Sequence, residues 1–206
     1  MTIMANKTIG LLLILFLKLP VFCQDNEQNL FRLALSQTLK EEYNQALSNF
    51  DEVIRLNPSN WDAYLYRSLC NLKIKSYKKT IEDCNVVVKN NPLSAKAYYY
   101  RGVAKGGLNN HTAAIADFND AIAVEPNEDL YYFERGNSFF MTSDYPSAIN
   151  DFTIAIAKNP DEGKYHYKLG VVHYLNGDRG VACKDLQKSA EKGFLDAYDL
   201  MKFYCK

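Results

Sequence analysis

Cysteines, histidines and a set of evenly spaced arginines and aspartates are the residues of this 206-residue chain whose types and spacing could do chemistry. Zinc-type chemistry needs close ligand pairs, and the chain has no C-x-x-C. His166 and His173 stand seven residues apart with no carboxylate at ligand spacing, so both read as packed rings. His111 falls in a turn, within Asn110-His111-Thr112, which fits the glycosylation sequon. Gly102, Gly106 and Gly107 do not follow a strand pattern and make no phosphate loop. There is no nucleophile–base pattern and no paired-carboxylate motif. The expectation is a non-enzyme without metal or cofactor. One charge pattern is regular. Arg67, Arg101 and Arg135 are 34 apart, and each is followed sixteen residues later by an acid: Asp83, Asp117 and Asp151. Leu33 with Asn49 drops both charges together, whereas Leu169 with Asp185 breaks the rule.

The elements that must position these charges follow the same ruler. Pro58, Pro92, Pro126 and Pro160 are each 34 apart. Tyr64, Tyr98 and Tyr132 keep that spacing, as do Gly102, Gly136 and Gly170, and Ala114, Ala148 and Ala182. A fixed period of this length marks a repeat architecture. Within each period, apolar residues recur at helical spacing on both sides of a polar turn: Lys75-Ser76, Asn109-Asn110, Ser143-Asp144, Gly177-Asp178. Ser76, Asn110, Asp144 and Asp178 are expected to cap the second helix, and the proline to close it. Small residues at 34, 68, 102, 136 and 170 allow close helix approach. The 15 tyrosines and 11 phenylalanines then fill the spaces between helices. The Arg–Asp positions fall on neighbouring antiparallel helices, so they read as partly buried ion pairs that fix helix pairing.

This pattern resembles the tetratricopeptide repeat family. Residues 129–162 supply Tyr132, Arg135, Gly136, Phe139, Ala148, Phe152, Ala155 and Pro160 at its signature positions. Residues 27–60, 61–94, 95–128 and 163–196 give four further copies; 61–94 is the most divergent, and 163–196 has Phe194 where proline is expected. The resemblance implies an all-α, right-handed α-solenoid of about five helical hairpins plus a C-terminal capping helix over 195–206. It also implies that the concave face, lined by the first helix of each repeat, holds a protein or peptide segment. The matching positions are Phe31 and Leu35; Asp62, Leu65 and Leu69; Lys96, Tyr99 and Val103; Leu130, Phe133 and Asn137; Lys164, Tyr167 and Val171. This stripe suits an apolar or aromatic-bearing partner segment. The set by which some members clamp a terminal carboxylate maps onto Tyr99, Val103, Glu134, Lys164 and Lys168. Only the two lysines suit that task, and Glu134 would repel a carboxylate.

Residues 1–23 have the layout of a secretory signal peptide: Lys7, then an apolar stretch from Ile9 to Leu17, then Val21-Phe22-Cys23 before a polar run. The apolar stretch is too short to span a bilayer. Bulky Phe22 before Cys23 argues against lipid anchoring. A periplasmic or secreted location follows, and an oxidising one admits disulfides. Three pairings are open to Cys70, Cys84, Cys183 and Cys205. Cys183 and Cys205 lie eleven residues either side of a turn near Phe194, which faces them across an antiparallel pair. Cys70 and Cys84 are out of register and read as buried thiols. The run from Ala190 to Ala197, with Cys183 and Cys205, resembles the C-terminal end of small exported bacterial members of the family. Lys+Arg and Asp+Glu are 24 each, so no global basic field favours nucleic acid. The expected function is an exported, non-catalytic interaction scaffold. The alternative is an accessory or catalytic module that binds a glycan or small ligand in the same groove.

Overall fold

The computed structural model describes residues 26–205; the expected export segment, 1–23, lies outside the described residues. The chain is all-α, a run of helical hairpins of the solenoid class. Eleven helices and no strand occur among the described residues. It divides into two compact units at Asn90/Asn91. The first holds α1 (26–39), α2 (Tyr43–Leu56), α3 (Trp61–Lys73) and α4 (Tyr77–Asn90). The second holds α5 (Ala95–Gly107), α6 (His111–Val124), α7 (Asp129–Met141), α8 (Tyr145–Lys158), α9 (Gly163–Leu175), α10 (Arg179–Glu191) and the short α11 (Asp196–Tyr204).

Every hairpin turns in the same way. Glu41, Lys75, Asn109, Ser143 and Gly177 occupy one repeat position, and all have positive φ, from 59° to 98°. The next residue's amide then reaches back five residues to a helix carbonyl: Glu42 to Gln37, Ser76 to Asn71, Asn110 to Lys105, Asp144 to Phe139, Asp178 to His173. This left-handed closure satisfies carbonyls that the ending helix leaves open. Only one of the five turns uses glycine for it. Side-chain caps are less uniform than the sequence suggests. Asn110 accepts from the Ala113 amide and Asp144 from that of Ser147. Asp178 makes no such bond, because its carboxylate accepts from Asn176 Nδ2 instead.

The cores follow the aromatic register. In the first unit Phe50 is fully buried, with Phe31 edge-on at 5.9 Å and Tyr66 stacked at 6.2 Å. In the second, Phe118, Phe133, Phe152 and Leu186 are buried. A Cβ added at Gly102 would lie 2.8 Å from the Phe118 ring, and one at Gly136 would lie 2.9 Å from Phe152. Those glycines are small because the facing ring occupies the space. At the end of the second unit, Ala197, Leu200 and Met201 of α11 pack on Leu186, Ala190 and Tyr167.

Candidate partner-binding face

The arginines that stood sixteen residues before an acid make two-pronged bonds to it. Arg67 Nε and Nη2 donate to the two Asp83 oxygens at 2.9 and 2.6 Å, and Arg135 does the same to Asp151 at 2.7 Å for both bonds. Arg101 bonds Asp117, which also takes Lys105 Nζ at 2.7 Å. The aspartates are buried, so these forks join the two helices of a hairpin. The third guanidinium nitrogen looks the other way. Arg67 Nη1 donates to Asp51 and Arg135 Nη1 to Asn119, each sixteen residues upstream and in the preceding hairpin. Each arginine rides over the tyrosine three residues before it, at 5.3 to 5.6 Å: Tyr64, Tyr98, Tyr132. These charges tie the two helices of a hairpin and, through Arg67 and Arg135, one hairpin to the one before it.

The two exceptions have partners four residues further along the first helix. Asp185, which loses its arginine to Leu169, takes His173 Nδ1 at 2.7 Å. Asn49 Nδ2 donates to Gln37 at the equivalent place in the first hairpin. His173 is therefore a polar tie, not the packed ring expected of it. His166 does behave as a packed ring. It is buried, its Nδ1 has no bond, and burial pushes its pKa down.

The stripe expected to meet a partner is less open than its sequence implied. Phe133 is 1% exposed, stacked on Tyr165 at 4.6 Å and 5.6 Å from Phe152. It is a core ring and offers no surface to a ligand. Tyr99 is half-buried against Tyr131 at 5.1 Å and Phe118 at 6.1 Å, and burial pushes its hydroxyl pKa up. Val103 and Asn137 are half-buried and Lys96 is exposed. In the first unit Leu65 and Leu69 are half-buried. Tyr167 and Val171 line an apolar cavity of about 280 Å³ together with Tyr174, Leu186, Leu200 and Tyr204. Their side of α9 is thus shared with the chain's own C-terminal helix.

Of the expected stripe, Leu130 stays 45% exposed on α7 and Lys164 is exposed on α9. Lys164 Nζ stands 4.9 Å from the Phe133 ring and Lys168 Nζ 5.9 Å from the Phe140 ring, so both α9 ammoniums lie on aromatic rings of α7. Glu134 lies in the field of both, but neither is at ion-pair distance; its hydrogen bond comes from Asn137 Nδ2 at 3.3 Å. Burial pushes the Glu134 carboxyl above the ordinary carboxylate range. Burial, and then the charge of Lys164, push Lys168 below its ordinary value. A lysine partly desolvated beside a second cation is stabilised by any anion brought to it. Lys164 and Lys168 were visible as suitable cations in the sequence. That Phe133 and Phe140 would serve as their platforms was not, because nothing in the repeat pattern says which ring lies under which side chain.

Cys183 and Cys205 sit at disulfide distance with Cα atoms 5.6 Å apart, which pins the end of α11 to α10. Cys70 and Cys84 are buried thiols. Among the described residues, no His, Cys, Asp and Glu cluster could hold a metal ion, and no helix is long and apolar enough to cross a membrane.

Comparison with known proteins supports the same fold. The sequence pattern that defines the tetratricopeptide repeat matches residues 31–95, 102–152 and 133–193. No curated protein sequence matches the chain. Among solved structures it is similar to that of MamA, at 23% identity and TM-score 0.72, over 80% of this chain and 96% of that one. It is also similar to TTC0263, a thermophilic repeat protein of Thermus thermophilus, at 20% identity and TM-score 0.66, over 87% and 98%. A third is YrrB, a protein described as having an unusual peptide-binding site, at 18% identity and TM-score 0.71, over 84% and 90%.

Proposed function

Because the chain belongs to the tetratricopeptide repeat family, we propose that it is a non-catalytic scaffold, exported from the cytoplasm, that binds a partner segment on its first-helix face. The observation that carries this reading is the Lys164–Lys168 pair on α9, set over α7 rings with no carboxylate at ion-pair distance among the described residues. An exposed Lys164 next to a partly desolvated Lys168 suits a segment that carries acidic side chains among apolar ones. The partner is therefore more acidic than the aromatic stripe in the sequence suggests, because Phe133 is a core ring and Tyr99 is half-buried against Tyr131. YrrB, which shares the fold, is a peptide binder by its description.

The test is a titration of the chain with short labelled peptides in which Glu and Asp alternate with Leu and Phe, beside peptides with Lys in place of the acids. Binding of the acidic set, weakened by salt and lost in Lys164→Glu/Lys168→Glu at unchanged helicity, supports the reading. Equal binding of both sets, or binding unaffected by the double substitution, sinks it. Export rests on the layout of residues 1–23 and on the Cys183–Cys205 pair. Cell fractionation with N-terminal sequencing tests it. The expected product begins at Gln24 in an envelope or secreted fraction, and an intact Met1 in the cytosol would refute it.

A further inference from the structure

The short helix α11 leaves apolar residues on its outer side, where an exposed helix face is ordinarily polar. Leu195 is 73% exposed, Phe203 77% and Tyr198 50%. The inner side of α11 carries Ala197, Leu200 and Met201 against α9 and α10. At 100° per residue the outer side is a stripe of Leu195, Asp199 and Lys202, flanked by Tyr198 on one edge and Phe203 on the other. Asp199 and Lys202 form an exposed pair at 3.3 Å within the helix, with 77% and 73% of their side chains open. Such a pair contributes little to stability by itself.

This stripe is complementary to itself. We infer that the outer face of α11 pairs with the same face of a second copy of this chain, antiparallel about a two-fold axis. An axis midway between Leu200 and Met201 puts Asp199 opposite the partner's Lys202, and Lys202 opposite the partner's Asp199. The same axis brings Tyr198 beside the partner's Tyr198 and Phe203 beside the partner's Phe203, so aromatic rings close over both sides of the charge pairs. A two-fold interface requires this kind of self-match. Parallel pairing, or a shift by one turn, would set like charges together or leave the rings unmatched. A nine-residue helix buries less than the ~1,200 Å² of a standard interface, so the dimer is a weak, concentration-dependent one. The Cys183–Cys205 pair holds α11 in place and so presents the face as a rigid surface.

The test is sedimentation velocity of the oxidised chain over a wide concentration range, with Asp199→Lys, Lys202→Asp and an equimolar mixture of the two. Both side chains are exposed, so circular dichroism and the melting temperature of each variant should match the parent. The parent should pass from monomer to dimer. Each single reversal should weaken self-association by roughly tenfold or more, since like charges then face one another. The mixture should recover the dimer, because both cross-axis pairs become Lys–Asp again. A parent that stays monomeric throughout overturns the proposal. So does a single variant that dimerises as well as the parent, or a mixture no stronger than its components.

Discussion

His173 Nδ1 lies 2.7 Å from Asp185 Oδ2, and this bond does in the last hairpin what a two-pronged arginine does in the three before it. The acid position is occupied in both cases. The partner has moved one helical turn along the first helix, from the place of Leu169 to that of His173. Asp185 is buried, so removing its partner leaves a polar group without compensation. His173→Leu should destabilise the chain by about 1–3 kcal/mol. His173→Leu/Asp185→Leu should regain much of that loss. Urea unfolding of the two variants measures both. Equal losses would mean that the bond contributes only packing.

Lys75 holds a φ of 59° in the turn between α3 and α4, at the place where Gly177 sits in the last hairpin. A side chain in the left-handed region costs about 1 kcal/mol or slightly more. Lys75→Gly should therefore stabilise the chain by up to about 1 kcal/mol, seen as a rise in melting temperature. Glu41→Gly should act in the same direction. A fall in either would show that the side chain contributes more than its backbone strain removes.

His166 gives the chain a dependence on mild acid. Burial holds its folded-state pKa below the ordinary 6.5, and the unfolded chain keeps the ordinary value. The unfolded state then binds the proton more readily. The stability tied to the neutral ring is complete above about pH 6.5 and is lost as pH falls through the depressed value. His166→Phe should flatten that part of the stability–pH profile while leaving carboxylate titration at lower pH. An unchanged slope between pH 7 and pH 5 would remove His166 from the account.

Cys183 and Cys205 lie 22 positions apart, and the span between them includes the C-terminal part of α10 and all of α11. Cross-linking a loop of that length restricts the unfolded chain by roughly 3 kcal/mol. Cys205→Ser, or reduction, should lower the melting temperature and raise hydrogen exchange in α11 first. The buried thiols Cys70 and Cys84 should resist alkylation until the chain unfolds. Fast labelling of either in the native state would contradict the burial seen here.

The 34-residue period determined the repeat, the helix pairs and the small positions under Phe118 and Phe152. These follow from local propensity and from a pattern that recurs whatever the surroundings. Arg67 with Asp83, and Cys183 with Cys205, were also legible, because the register of an antiparallel hairpin is a matter of counting from its turn. The left-handed turn residue was not legible at Glu41, Lys75 or Ser143, since none of these is a residue that favours positive φ. Nor was the burial of Phe133. A family position says which way a side chain points, but whether Tyr165 and Phe152 close over it depends on side-chain volumes in the next helices. The substitution of His173 for an arginine, the lysines laid on rings of α7, and the outward stripe of α11 belong to the same class. Each is set by distances between helices that sequence spacing does not encode, and only packing in three dimensions decides them.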